Sequence, residues 1–167
     1  VIDVTPGRSG LLVTPDGKGP FPAVIVIHEW WGLDAWVKDQ ARALGKEGYV
    51  ALAVDLYRGK VAQKQEDAHQ LMMGAPPDRI QRDLQAAFAW LAARKDVKAA
   101  KIGAIGWCMG GRWTMALATA YAARGWLPWA PTIPQMAMWH GIGTAFGVAW
   151  AGLTACWLDP ATQPPVA

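Results

Sequence analysis

Lys101–Thr119 reads KIGAIGWCMGGRWTMALAT, and the rest of the chain is organised around it. Lys-Ile-Gly-Ala-Ile is an apolar run short enough for a buried strand. Gly106-Trp107-Cys108-Met109-Gly110-Gly111 follows as a tight turn, and Arg112–Thr119, rich in Ala and Leu, reads as a helix. A strand, a Gly-x-nucleophile-x-Gly turn and a helix make a nucleophile elbow. The turn forces the central side chain up and out of the sheet. A Cβ two residues before or after would strike the neighbouring strand or helix, so both places want glycine, and Gly106 and Gly110 fill them. The central residue is Cys108. A thiol is partly ionised near neutral pH, and a helix N-terminus favours its thiolate. The plainer alternative is a Gly-rich turn with a small cysteine as packing. The glycines at 103, 106, 110 and 111 do not spell the dinucleotide pattern G-x-G-x-x-G, and the phosphate-loop G-K-[ST] is missing.

The chain has 167 residues, enough for one domain with a core, and a formal charge of +3. No basic run or aromatic stripe accompanies that charge, so nucleic acid is not an expected partner. Cys108 and Cys156 stand at no metal-ligand spacing from His28, His69 or His140. Neither metal nor cofactor is expected. Val1 opens the sequence without a signal-like segment. The expectation is a cytoplasmic protein, with periplasm or secretion left open because a processed start would hide a leader. All 16 Lys and Arg and 12 of the 13 acids fall within residues 1–124. The last 43 residues hold one charge, Asp159, and five of the eleven tryptophans.

Working outward from the turn, Ala23–Ile27 is a non-alternating, mostly β-branched run after Pro22, as in a strand buried on both faces. His28-Glu29-Trp30-Trp31-Gly32 follows as its exit loop. Asp34–Lys46 is predicted helical, with Asp34 as N-cap, Trp36, Val37, Ala41 and Leu44 on its apolar face, and Gly48 as its stop. Tyr49–Val54 is a second buried strand, leaving through Asp55-Leu56-Tyr57-Arg58-Gly59. Ser9–Val13 reads as a short strand, Gln65–Met73 as a short helix, and the stretch from Pro77 to about Arg94 as a long one with the stripe Ile80, Leu84, Ala87, Phe88 and Leu91. Strands alternating with helices imply a mostly parallel sheet, with chemistry gathered at the C-terminal strand ends. Three exits carry it: Glu29, Asp55 and Cys108. His28 reads as a core histidine satisfying backbone, and Asp55 as a turn-former.

The loop HEWWGLD (28–34), the exit AVDLYRG (53–59) and IGAIGWCMGGR (102–112) together resemble the dienelactone hydrolase family, over about residues 9–123. The resemblance implies a three-layer α/β-hydrolase fold. It also implies cleavage of a small ester or lactone through an acyl-enzyme, without a cofactor. Cys108 would be the nucleophile, and Glu29 would hydrogen-bond the thiol and help generate thiolate. The backbone amides of Trp30 and Met109 would form the oxyanion hole. Trp31, Tyr57 and Arg58 are candidates to touch substrate, and a solvated exit-loop arginine is the plainer reading of Arg58. The alternative function is a non-catalytic remnant that binds a small molecule or a partner in the same cleft.

The resemblance also calls for an Asp and then a His after the nucleophile. Here His140 precedes Asp159, and neither has a matching context. Residues 1–124 therefore read as the N-terminal portion of such a domain, and 125–167 as a low-charge Trp/Ala/Gly-rich tail. The tail is truncated or frameshifted, a membrane segment over 136–158, or a divergent folded end. A sheet ending at the elbow strand would keep an unpaired edge, and poor solubility is expected of it. Oligomeric state has no signature.

Overall fold

The computed structural model describes residues 2–5 and 8–124, and the side chains of 9–118. The expectations for His140, Asp159 and the segment 125–167 lie outside the described residues. In chain order the elements are β1 (Ile2–Thr5), β2 (Arg8–Val13), β3 (Phe21–Ile27), α1 (Ala35–Lys46), β4 (Val50–Val54), α2 (Gln65–Met73), α3 (Pro77–Ala92), β5 (Val97–Gly106) and α4 (Met109–Arg124).

The five strands lie in the order β1-β2-β4-β3-β5. β3 runs parallel to both β4 and β5, with Ile25 beside Leu52 on one flank and Ala104 on the other. β2 is antiparallel to β4 and to β1. The parallel part, β4-β3-β5, is thus one side of the sheet, with β5 outermost among the described residues, and the antiparallel hairpin forms the other. β1 was not anticipated. A four-residue strand has too few positions to show a period.

Side-chain alternation along β3 and β4 sorts the core into two layers. Ala23, Ile25, Ile27, Val50, Leu52 and Val54 face α3 and α4, where Ile80, Leu84, Leu91, Trp113 and Leu117 cover them. Val26, Ala51 and Ala53 point the other way, onto Val37 and Ala41 of α1. Both faces of the central strands are covered, so β4 is buried at every position. That explains its continuous apolar sequence. Full burial of each large aliphatic side chain contributes about 1.5–3 kcal/mol.

The Asp34 carboxylate accepts from the Val37 amide at 2.9 Å, which caps α1. Gly48, at φ +89°, ends the turn that follows it. Trp36 departs from the expected apolar face. It is 46% exposed, and its ring meets Trp107 edge-on at 4.9 Å. Periodicity places Trp36 beside the buried stripe, but the elbow offers the large ring a partner, Trp107, at the margin of the α1-side core. The elbow strand also begins earlier than the apolar run suggests, at Val97, because the amide of Phe21 bonds the Asp96 carbonyl at 2.8 Å. Among the described residues β5 pairs with β3 alone. Its residues Lys98, Lys101, Gly103 and Ile105 are exposed.

Candidate active site

Three parallel strands end together, and their exit loops build the site. β5 ends at Gly106, and two residues later Cys108 stands exposed at φ +51°. A non-glycine residue in that left-handed region is strained, and such strain gathers at functional sites. The flanking glycines are required by contact. A Cβ on Gly106 would lie 2.5 Å from the Gly110 backbone, and one on Gly110 would lie 2.7 Å from the His28 carbonyl oxygen. The first turn of α4 therefore rests directly on the β3 exit. The Gly110 amide closes the elbow onto the Trp107 carbonyl at 2.8 Å.

The β3 exit carries His28, Glu29, Trp30 and Trp31. His28 is fully buried. Its Nε2 accepts from the Leu56 amide at 3.2 Å, and its Nδ1 lies 2.5 Å from the Glu29 carbonyl oxygen. An accepting Nε2 is unprotonated, so the ring is neutral with its proton on Nδ1. Burial pushes His28 below the usual imidazole range, against the opposing pull of its bond to Glu29 and the charges of Asp55 and Asp34. The expectation of a core histidine satisfying backbone matches this geometry. Glu29 is half-buried, and its carboxylate makes no hydrogen bond with the Cys108 thiol. Trp30 and Trp31 meet edge-on at 5.3 Å. Among the described residues the backbone amides of Trp30 and Met109 donate to no backbone carbonyl. Met109 opens α4, where first-turn amides have no partner within the helix.

The β4 exit is a turn organised by Asp55. Its carboxylate accepts from the amides of Tyr57 at 3.0 Å and Gly59 at 2.5 Å, and from the Ser9 hydroxyl at 3.3 Å. Asp55 is the turn-former the sequence suggests. Tyr57 lies edge-on to His28 at 4.7 Å, and its hydroxyl donates to the Met109 sulfur at 3.3 Å. Burial, and then the charge of a Cys108 thiolate, push the Tyr57 phenol up to about 12. Tyr57 therefore stays a neutral donor beside the elbow.

Arg58 is an exposed exit-loop arginine, as the plainer reading has it, and it also has a buried partner. Its guanidinium bonds both carboxylate oxygens of Asp83, at 3.0 and 2.8 Å, and Asp83 is 2% exposed. Asp83 was missed in the sequence, although a signal was there. It lies three residues from Ile80, on the apolar stripe of α3, where a carboxylate needs a buried partner.

Two cavities flank the exits. One, about 730 Å³, is lined by Tyr57, Arg58, Val61, Gln63, Leu71 and Arg79 among others. The Nε of Arg79 is buried there without a hydrogen-bond partner. The other, about 580 Å³, is lined by Trp31, Asp34, Trp36 and Val61 among others. Trp31, Tyr57 and Arg58 thus each border one of the two. No group of His, Cys, Asp and Glu among the described residues could hold a metal ion.

The family model described as "Dienelactone hydrolase family" matches residues 9–144. Protein usf of Aquifex pyrophilus is 36% identical over 64% of this chain and 48% of its own length. Carboxymethylenebutenolidase of Pseudomonas putida is 28% identical over 71% of this chain and 52% of its own. A crystal structure of a dienelactone hydrolase-like promiscuous phosphotriesterase from metagenomic libraries superposes with a TM-score of 0.56. It is 27% identical, over 67% of this chain and 54% of that one. The chain spans about half the length of the curated relatives it matches.

Proposed function

The chain belongs to the dienelactone hydrolase family, and from that premise we propose that it contributes to the cleavage of a small ester or lactone through an acyl-enzyme on Cys108. One observation carries the reading. Cys108 is exposed, strained at φ +51°, and placed at the head of α4 by glycines that nothing larger can replace. Packing alone gives no reason to hold a thiol outward on strained backbone.

In the proposed reaction the Cys108 thiolate attacks the carbonyl carbon, and the carbonyl oxygen takes up the negative charge. The unpaired amides of Trp30 and Met109 receive that oxyanion. Backbone donors suit the task because they are oriented before the charge develops. The intermediate collapses, the alkoxide leaves and takes a proton, and the acyl thioester remains for attack by water. Glu29 takes the thiol proton once substrate brings the two groups together. Hydrogen bonds of this kind tighten only in the complex, so their absence from the free site is compatible with the role. Trp31, Tyr57 and Arg58 line cavities beside the same strand exits and are the candidates to meet the rest of the substrate.

The second reading is a remnant that binds without turnover. One observation favours it: His28 is fully engaged with backbone, so no histidine on the three exits is free to activate water.

The test is a burst assay with 4-nitrophenyl acetate, with acylation mapped by peptide mass. Acylation at Cys108, lost in Cys108→Ala, is the expected result. Steady turnover beyond the burst separates the hydrolase from the remnant. A Cys108→Ala variant that turns over ester at the unmodified rate defeats the proposal.

A further inference from the structure

We propose that His28 is a positioning residue, which aims the Trp30 amide at the reacting carbonyl by holding the far end of the same peptide unit. The inference rests on the acyl-transfer reading above.

The argument begins with the covalent geometry of the chain. The Glu29 carbonyl and the Trp30 amide belong to one peptide unit, and in a trans peptide the C=O and N–H point in opposite directions across a rigid plane. Whatever fixes the carbonyl fixes the amide, and here the shorter bond comes from His28, with the Gly32 amide a longer second donor at 3.3 Å. His28 Nδ1–H donates to the Glu29 carbonyl oxygen at 2.5 Å. The ring cannot turn to release it, because Nε2 is held by the Leu56 amide at 3.2 Å and the side chain is wholly buried.

The same residue registers the amide against the rest of the site. Its carbonyl oxygen supports Gly110 in the first turn of α4, close enough that a Cβ on that glycine would lie 2.7 Å away. Its ring meets Tyr57, whose hydroxyl reaches the Met109 sulfur at 3.3 Å. His28 therefore touches the exits of β3 and β4 and the elbow at once. It fixes one oxyanion donor, Trp30, relative to the residue that supplies the other, Met109. Burial keeps the imidazole neutral, so a single tautomer serves both ring bonds.

The test compares the full chain with His28→Leu and His28→Gln in two reactions at Cys108, each mapped by peptide mass. Acylation by 4-nitrophenyl acetate passes through an oxyanion, whereas alkylation by iodoacetamide does not. In His28→Leu, acylation is expected to fall about 10- to 100-fold while alkylation stays within about twofold. Glutamine carries both a donor and an acceptor, so His28→Gln is expected to recover most of the acylation. Equal acylation in wild type and His28→Leu overturns the inference, as does a parallel fall in both reactions, which marks a purely structural role. Should the leucine variant not fold, nitrogen-15 NMR of the wild-type ring decides. The proton is expected on Nδ1, and a proton on Nε2 or an imidazolium near neutral pH overturns the inference. A wild type that alkylates at Cys108 but forms no acyl-enzyme removes the acyl-transfer reading itself, and the positioning role falls with it.

Discussion

At the scale of single residues, the elbow is held by what cannot be added to it. Gly110→Ala drives a methyl group into the carbonyl groups of Ile27 and His28. Backbone cannot yield as a flexible side chain does, so the variant is expected to lose about 2 kcal/mol or more, read as a lowered denaturation midpoint. The strain at Cys108 gives a second, opposite outcome. Glycine adopts positive φ at no steric cost, so Cys108→Gly should be more stable than Cys108→Ala by about 1 kcal/mol. Equal midpoints for the two would mean that the observed φ of +51° carries no strain. Both effects were open to the sequence. Gly106, Cys108 and Gly110 are a backbone requirement written in residue types, and such a requirement does not depend on distant partners. The role of His28 was only half visible. Its burial followed from its place after five apolar residues, but the partner of its Nε2, the Leu56 amide, lies 28 residues away.

Among the elements, those read best carry their own punctuation. α1 has its cap in Asp34 and its stop in Gly48, and α3 opens on Pro77 at a position that tolerates the missing amide proton. β3 and β4 were legible because burial on both faces leaves no polar position to mislead. What escaped depends on pairing between elements. The antiparallel partnership of β2 with β4 has no local signature, and the half-exposed place of Trp36 is invisible because its partly buried partner, Trp107, belongs to a segment far along the chain. The link between the β4 exit and α3 is of the same kind. Asp83 is buried and bonds the partly exposed Arg58 guanidinium, so Asp83→Ala removes a charge-assisted pair whose cation is 32% exposed at its side chain. A loss of about 1–2 kcal/mol is expected in denaturant titrations, because solvent screens the exposed cation. Arg58→Ala, which leaves a buried carboxylate behind, should cost at least as much. A neutral result for both would reduce the pair to decoration.

Across the whole molecule, pH dependence follows from His28, the buried imidazole among the described residues. Burial holds His28 below its ordinary value of 6.5 in the fold, whereas unfolding restores it. Between those two values the unfolded chain binds the extra proton, so stability falls as pH drops below about 6.5. Asp96 acts elsewhere: Arg94 holds its carboxyl below the usual range, so its contribution is lost only at more acid pH. Melting temperatures should therefore fall as pH drops below about 6.5, with a shallower slope in His28→Gln. The flank of β5 that has no strand partner among the described residues bears on a second global property. Lys98 and Lys101 guard the start of that edge with charge, but the stretch from Gly103 to Gly106 has no such guard. Alternate amides along β5 should exchange with deuterium quickly while those facing β3 are slow. Uniform protection would show the flank to be covered. The contact between Trp36 and Trp107 has a practical consequence of its own. An indole adjoining the exposed Cys108 sulfur in sequence and leaning on a half-exposed neighbour is a built-in optical probe. Emission should shift when Cys108 is alkylated, and Trp107→Phe should silence that signal while leaving the labelling rate intact.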